Sequence, residues 1–416
     1  MRPAARLQAA IEILEGLAGT AIPADRYVRD YFRARRYAGS KDRAWVAERV
    51  FQVFRHRAAY AWRMGDDSPR ALVIASLLVD NLSADEIATL FSGEGYGPAP
   101  LTAGEGGALA LAPDGEPPLW VQGEFPAFLE AELRDRFGGN LLAEMQVFTQ
   151  RAPVDLRVNT LKATHDAVLA SLRAEGYAAE PARYSPLGLR LPSGTTRLER
   201  TALFAAGAFE FQDEAAQIAA LLCEAAPGMA VLDLAAGAGG KALALAAAME
   251  NSGTIIASDI SGARLAQIGP RAARAGAAII SIEQEPKGAF DRVLLDAPCS
   301  GSGTWRRQPE QKWRLTESRL AELVALQDQL LDRAAAHVAP GGRLIYTTCS
   351  LLPRENEGRI AAFLGRGPGF AAMSAEAVWH RATGAEPPPG MGELFRASPY
   401  VSGMDGFFAA VLARAA

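Results

Sequence analysis

Two cysteines stand where a reacting sulfur would be useful. Cys299 lies in Asp296-Ala297-Pro298-Cys299-Ser300 and Cys349 in Thr347-Thr348-Cys349-Ser350, each just after an apolar run, Val293-Leu294-Leu295 or Leu344-Ile345-Tyr346. Runs of that length predict strands buried on both faces of a parallel sheet. Ligands of open α/β sheets bind outside the carboxyl ends of the strands, so both thiols are expected beside a bound substrate. If the two strands are neighbours, their spacing of about 4.8 Å lets both sulfurs face one molecule. A lone cysteine is more plainly a small core residue, and Cys223, inside the helix predicted over 214–224, is read that way.

A second constellation precedes them. The strand Val231-Leu232-Asp233-Leu234 runs into Ala235-Ala236-Gly237-Ala238-Gly239-Gly240-Lys241, and the next strand, 254–258, ends in Asp259. Glycines let a backbone approach a ligand closely, and an acid at the end of a second strand can accept hydrogen bonds from both ribose hydroxyls. Gly237-Ala238-Gly239-Gly240-Lys241-Ala242 also satisfies the dinucleotide fingerprint, so a nicotinamide-dependent oxidoreductase remains open on this motif alone.

The elements that must position these residues follow from periodicity. From Asp213 onward helix and strand alternate, with a third strand over 278–282, the two cysteine strands as fourth and fifth, a helix over 317–338 between them, and a last strand over 407–412. This predicts a doubly wound α/β sheet. Leu323, Leu326, Leu330 and Ala334 form one apolar stripe on the long helix. Residues 117–210 read as a small α+β module, and residues 1–116 as all helical, with a single long helix over 41–64. The expected domains are therefore 1–116, 117–210 and 211–416, the first boundary resting on the turn formers Gly115-Glu116-Pro117-Pro118.

The 416 residues carry a net charge of −4, which argues against a general nucleic-acid coat, but the charge is segregated. Residues 1–65 hold 13 basic against 6 acidic side chains, and residues 66–140 hold 3 against 13. In the basic part Arg29, Arg33, Arg35, Arg36, Lys41 and Arg43 alternate with Tyr31, Phe32, Tyr37 and Trp45. Cations attract phosphates and aromatic faces stack on unpaired bases, so this is a candidate RNA surface; a solvated helix face with core aromatics is the equal alternative. No run of about 18 apolar residues and no signal peptide is seen, so a cytoplasmic protein is expected. Three cysteines and four scattered histidines make neither a disulfide framework nor a metal site.

Asp296-Ala297-Pro298-Cys299, Thr348-Cys349-Ser350 and the 233–241 stretch together resemble the Sun/Nop family of RNA cytosine-5 methyltransferases. Arg157-Val158-Asn159-Thr160-Leu161-Lys162, Phe211-Gln212-Asp213-Glu214 and Asp405-Gly406-Phe407-Phe408 look like further family stretches in the family's order. The helical N-terminus is similar to the NusB-like domain of bacterial members. The resemblance implies a seven-stranded Rossmann-like methyltransferase domain, S-adenosyl-L-methionine as cofactor, and a cytidine of RNA as substrate. Ribosomal 16S RNA is the first expectation; transfer RNA, or a non-catalytic RNA-binding assembly factor, are the alternatives. It implies Cys349 as the nucleophile that adds to carbon 6 of the base, Asp296 as the group holding the base edge, and Cys299 as the cysteine that assists release. The cofactor residues it implies are Ala235, Ala236, Gly237, Ala238, Gly239, Gly240, Lys241, Asp259, Arg264, Glu283 and Asp296. Ala235 and Ala238 stand where the family has Cys and Pro, and Gly237 replaces an alanine. Trp305-Arg306-Arg307 and Lys162 are expected to face RNA. No metal and no membrane are implied, and a monomer is expected.

Overall fold

The computed structural model describes residues 1–111, 113–367 and 369–416. Contacts divide it into two compact units, Met1–Gln150 with Trp305–Thr316, and Arg151–Thr304 with Glu317–Ala416. By contacts the first division falls at Gln150. Helices Leu119–Gln122, Glu130–Phe137 and Leu141–Phe148 belong with the helical unit, because Val121, Leu133 and Phe148 are buried within it.

In the helical unit, Leu7, Ile11 and Leu14 of helix Pro3–Ala18 pack with Val46, Val50 and Val53 of helix Ser40–Arg55, both sets at helical spacing. The helix expected over 41–64 is two helices, Ser40–Arg55 and Arg57–Met64, interrupted at His56. The cause lies far along the chain. The buried Glu124 carboxylate accepts the backbone N–H groups of Ala58 and Ala59 at 2.9 and 3.0 Å, capping the start of the second helix. The Trp305–Thr316 segment is also held here, by Trp313 Nε1 donating to the Phe54 carbonyl at 2.7 Å and by Ala24 N–H donating to Glu310 Oε1 at 3.1 Å. Trp305 is fully buried, edge-on to Phe148, and Arg306 is buried beside it. Neither presents a free face to RNA; of that tripeptide only Arg307 is exposed. The N-terminal aromatics are similarly engaged. Phe32 is core, Arg35 lies 3.6 Å over the Tyr31 ring, and Arg6 and Arg49 lie over Trp45, leaving Tyr37 exposed.

The second unit opens with a four-stranded antiparallel sheet of β1 (Val154–Val158), β2 (Glu180–Pro181), β3 (Gly188–Leu191) and β4 (Phe209–Phe211), in the order β2-β3-β1-β4. Alternation buries Leu156 and Val158 with Leu189, Leu191 and Phe209, and helix His165–Ala174 adds Val168 and Leu172 to that core.

The larger sheet holds β5 (Ala230–Leu234), β6 (Thr254–Ser258), β7 (Ile280–Ile282), β8 (Phe290–Asp296), β9 (Val338–Thr348), β10 (Phe370–Met373), β11 (Phe395–Ala397) and β12 (Phe407–Arg414). Seven strands run in the order β10-β12-β9-β8-β5-β6-β7, and β11 pairs with the start of β12 as an eighth. Strands β9, β8, β5, β6 and β7 are mutually parallel. Layers of buried side chains line both faces, which is why β5, β8 and β9 read as blunt apolar runs. The chain moves from β5 outward to β7, then returns to place β8 on the other side of β5. That reversal opens a crevice at the carboxyl ends of β5 and β8.

Candidate active site

The turn after β5 is wound tightly enough to need left-handed residues at three alternate positions, Ala235 (φ 68°), Gly237 (φ 57°) and Gly239 (φ 80°). For the alanine this is a costly conformation of the kind that gathers at functional sites. A Cβ on Gly239 would press on Ile268 at 3.0 Å, whereas one on Gly237 would meet nothing within 4 Å, so the turn is open toward a ligand at Gly237. The backbone is braced from two sides. Gly237 N–H donates to Asp259 Oδ2 at 2.9 Å and Ser261 N–H to Asp259 Oδ1 at 2.7 Å. Arg271 donates to the Ala238 carbonyl at 2.6 Å and is itself held by the buried Glu210 at 2.8 Å. These bonds restrain a turn that lacks a proline.

Beyond the turn, Lys241 opens the following helix and its ammonium reaches Asp296 Oδ2 at 2.6 Å. Parallel pairing of β8 and β9 sets Asp296 opposite Thr347, whose hydroxyl donates to Asp296 Oδ1 at 3.1 Å. Burial opposes the charge on Lys241, but Asp296 first, then Asp233 and Cys349, hold the ammonium above its ordinary range. Asp233 is the reverse case. It is buried within β5, its oxygens meet the Ala242 N–H only outside good hydrogen-bond geometry, and burial pushes its ionisation up to about 7 despite the pull of Lys241.

One residue past β9 and three past β8, the sulfurs of Cys349 and Cys299 lie 3.4 Å apart. The hydrogen bond to Cys349, followed by burial, pushes the Cys299 thiol well above its usual value. Either sulfur of the pair can carry the shared S–H. The two loops also touch through backbone: Gly303 N–H donates to the Cys349 carbonyl at 2.9 Å, and Gly406 N–H to the Gly303 carbonyl at 2.8 Å.

The expected residues fall mostly along one crevice. A cleft of about 640 Å³ is lined by Ala235, Gly237, Asp259, Arg264, Asp296 and both cysteines. A second hollow of about 480 Å³ shares Gly237, Arg264 and Asp296 with it and adds Asp233, Gly240 and Lys241; Ala236 and Ala238 line it too. Two expected residues lie outside both linings: Gly239, which is buried under the turn, and Glu283, which is exposed, while the next residue, Gln284, lines the larger cleft. The apolar stripe of helix Glu317–Ala336 is split. Ala334 goes to the core, and Leu323, Leu326 and Leu330 form a wall of the cleft. Sequence reasoning gave no role to Asp233, whose signal is an acid inside an apolar strand, or to Glu355. Glu355 is a fully buried carboxylate behind both cysteine loops, written in the sequence as an ordinary charged turn.

Residues 220–413 match the family described as 16S rRNA methyltransferase RsmB/F, and residues 125–196 match the RsmF/B-like ferredoxin-like domain. The chain belongs to the RsmB/F family. Ribosomal RNA small subunit methyltransferase B of Pectobacterium atrosepticum is 32% identical over 302 residues, covering 70% of this chain and 66% of that protein. The enzyme of the same name from Shewanella oneidensis is 37% identical over 250 residues, covering 58% of each. Matches to such relatives span 57 to 66% of their length. The crystal structure of PH0851 superposes with a TM-score of 0.77 at 25% identity, covering 99% of both chains. Among the described residues of this RsmB/F-family chain, no group of three or more His, Cys, Asp or Glu could hold a metal ion. No described helix is long and apolar enough to cross a membrane.

Proposed function

We propose that this chain forms 5-methylcytosine in 16S ribosomal RNA, using S-adenosyl-L-methionine and a covalent adduct between Cys349 and the cytosine. The observation that carries the reading is the pair of sulfurs 3.4 Å apart beside the Asp296–Lys241 ion pair. The names of its relatives favour ribosomal RNA over transfer RNA. The helical unit is the proposed RNA-binding part, and the Arg151–Thr304 and Glu317–Ala416 unit the catalytic part.

The crevice fits such a cofactor. Its volume is that of a small-molecule site, Gly237 leaves the turn open to it, and the buried Asp233 carboxylate, short of hydrogen-bond partners, suits a cationic amino-acid end. Asp259 keeps lone pairs for ribose hydroxyls, and Ala235 to Ala238, Gly240, Lys241, Arg264 and Gln284 border the space, with Gln284 taking the place expected of Glu283. When bound, S-adenosyl-L-methionine supplies an electrophilic methyl group.

Carbon 5 of cytosine is too weak a nucleophile on its own, so a thiolate must first add to carbon 6. Cys349 is that thiolate, accepting the Cys299 S–H bond and lying within the field of Lys241. As the sulfur–carbon bond forms, electrons move to ring nitrogen 3, which takes a proton from solvent water. Asp296, fixed by Thr347 and Lys241, accepts hydrogen bonds from that N–H and the exocyclic amine. Bond formation also removes the negative charge from Cys349, and with it the largest cause holding Cys299 protonated. Cys299 can then give up its proton to solvent water and take the one leaving carbon 5, as the sulfur–carbon bond breaks, ring nitrogen 3 returns its proton to solvent and Cys349 departs as thiolate. The target base must leave its stack to reach either sulfur.

Transfer of labelled methyl from S-adenosyl-L-methionine to 16S ribosomal RNA, naked and within the small subunit, with transfer RNA alongside, tests the reading. Label recovered as 5-methylcytosine in 16S RNA is the expected result. Label in transfer RNA alone changes the substrate. No label together with no cofactor binding leaves a non-catalytic assembly factor.

A further inference from the structure

Behind the two cysteine loops, a single carboxylate gathers donors from both. Glu355 is fully buried and accepts Ser300 N–H at 2.8 Å, Ser300 Oγ at 2.5 Å, Ser350 Oγ at 2.5 Å and Gln327 Nε2 at 3.0 Å. Ser300 follows Cys299 and Ser350 follows Cys349, so the acid reaches each thiol's neighbour. Ser302 cross-links the same loops, its hydroxyl lying 3.1 Å from Ser350 Oγ and accepting Leu351 N–H at 2.8 Å. Glu355 is fixed in turn: Tyr346 of β9 donates its hydroxyl to the Glu355 carbonyl at 2.7 Å, and Gln327 also donates to the Pro298 carbonyl at 2.9 Å. Four donors converging on two oxygens call for a group that only accepts, which among side chains is an ionised carboxylate.

We propose that Glu355 is the positioning residue that sets the separation and relative reactivity of the two thiols, acting through Ser300 and Ser350. The loops carrying Cys299 and Cys349 are 50 residues apart in sequence, and reaction geometry tolerates little error between them. One buried charge tied to both removes their independent motion. Its negative field also adds to the causes that keep Cys299 protonated, so losing it loosens both the spacing and the division of labour. The proposal rests on the assignment of these cysteines as the reacting thiols.

Glu355→Gln, close in shape, is tested with Ser350→Ala, which cuts the same link from the other end. Two readouts keep the outcomes apart. In steady-state methyl transfer, Glu355→Gln should lower kcat about 10- to 100-fold, with KM for S-adenosyl-L-methionine changed less than about threefold. In the RNA-free protein, the rates at which iodoacetamide alkylates each cysteine are followed against pH by peptide mass spectrometry. Wild type should alkylate Cys349 well before Cys299, and Glu355→Gln should narrow that gap about tenfold, with Ser350→Ala intermediate. A narrowed gap supports the positioning role even if the wild type methylates no RNA, in which case the activity reading alone fails. An unchanged gap in folded Glu355→Gln overturns the proposal, whatever happens to turnover.

Discussion

Asp233 gives the sharpest physical test, because its prediction does not depend on knowing the substrate. Its carboxyl ionises near 7 in the fold against 3.8 when exposed, chiefly through burial. The folded state therefore holds a proton that the unfolded chain has already lost between those values, and stability from this group falls as pH rises through that window. At about 1.4 kcal/mol per pH unit, the cost is about 2 kcal/mol at pH 5 and about 4 kcal/mol at pH 8. Asp233→Asn keeps the shape and cannot ionise, so its stability relative to wild type should improve by about 2 to 3 kcal/mol between pH 5 and pH 8. The amide's own unsatisfied burial is a constant offset of about 1 to 3 kcal/mol against the variant, so the pH trend, not the absolute value, carries the test. Thermal unfolding followed by circular dichroism at both pH values should show the gap in Tm moving by roughly 5 to 10 °C in favour of the variant. A gap that stays constant, or carbon-13 NMR showing Asp233 ionised at pH 5, would refute the reasoning.

The same change carries a functional cost that explains why such a residue stays in a strand. Among the described residues, removing the charge leaves only Asp259 and Asp296 as carboxylates near this end of β5, so on the proposed cofactor role affinity should fall at pH 8 and change little at pH 5. Stability gained and binding lost in one pH window is the signature of a site that keeps an expensive charge for its ligand.

The remaining predictions address the thiols and the turn. Cys349→Ala should reduce methyl transfer to background while RNA binding persists, measured by filter binding beside the labelled assay; near-normal turnover would remove Cys349 from the mechanism. Cys299→Ala should accumulate a covalent RNA–protein adduct in the presence of cofactor, seen as a shifted band on a denaturing gel, and its absence with a proven substrate would end the release role. Arg271→Ala frees the Ala238 carbonyl and leaves the buried Glu210 with Arg274 as its ion-pair partner, so it should cost about 1.5 to 3 kcal/mol in stability and weaken cofactor binding. Gly303→Ala would set a Cβ 1.9 Å from the Gly406 carbonyl oxygen, so it should cost about 1 to 3 kcal/mol by denaturant unfolding.

What the sequence disclosed, and what it hid, divides by range. Strands β5, β8 and β9 were legible because burial on both faces demands unbroken apolar runs, and the residues at their carboxyl ends were therefore legible as a group. That adjacency of β8 and β9 would bring Cys299 near Cys349 was conditional, and the parallel register supplies it. The break at His56 was invisible because the carboxylate that caps the second helix comes from Glu124, 66 residues away. Likewise Pro117-Pro118 marks a turn in the chain, yet the helices after it pack back into the first unit, since local turn chemistry carries no information about long-range contacts. Trp305 reads as an exposed aromatic beside arginines but is core, because hydrophobic type does not reveal which unit receives a segment. Glu283 and Gln284 differ by one place on a short strand end, where a slip of one residue exchanges the faces. Glu355 is the clearest case: its meaning is set by two serines on loops that sequence separates and the sheet brings together. A buried acid earns such a place only if its partners are fixed, which is why the thiol pair and the carboxylate behind it are best altered together as a double-mutant cycle. Ser300→Ala with Glu355→Gln should then be less than additive, and full additivity would show that the two act apart.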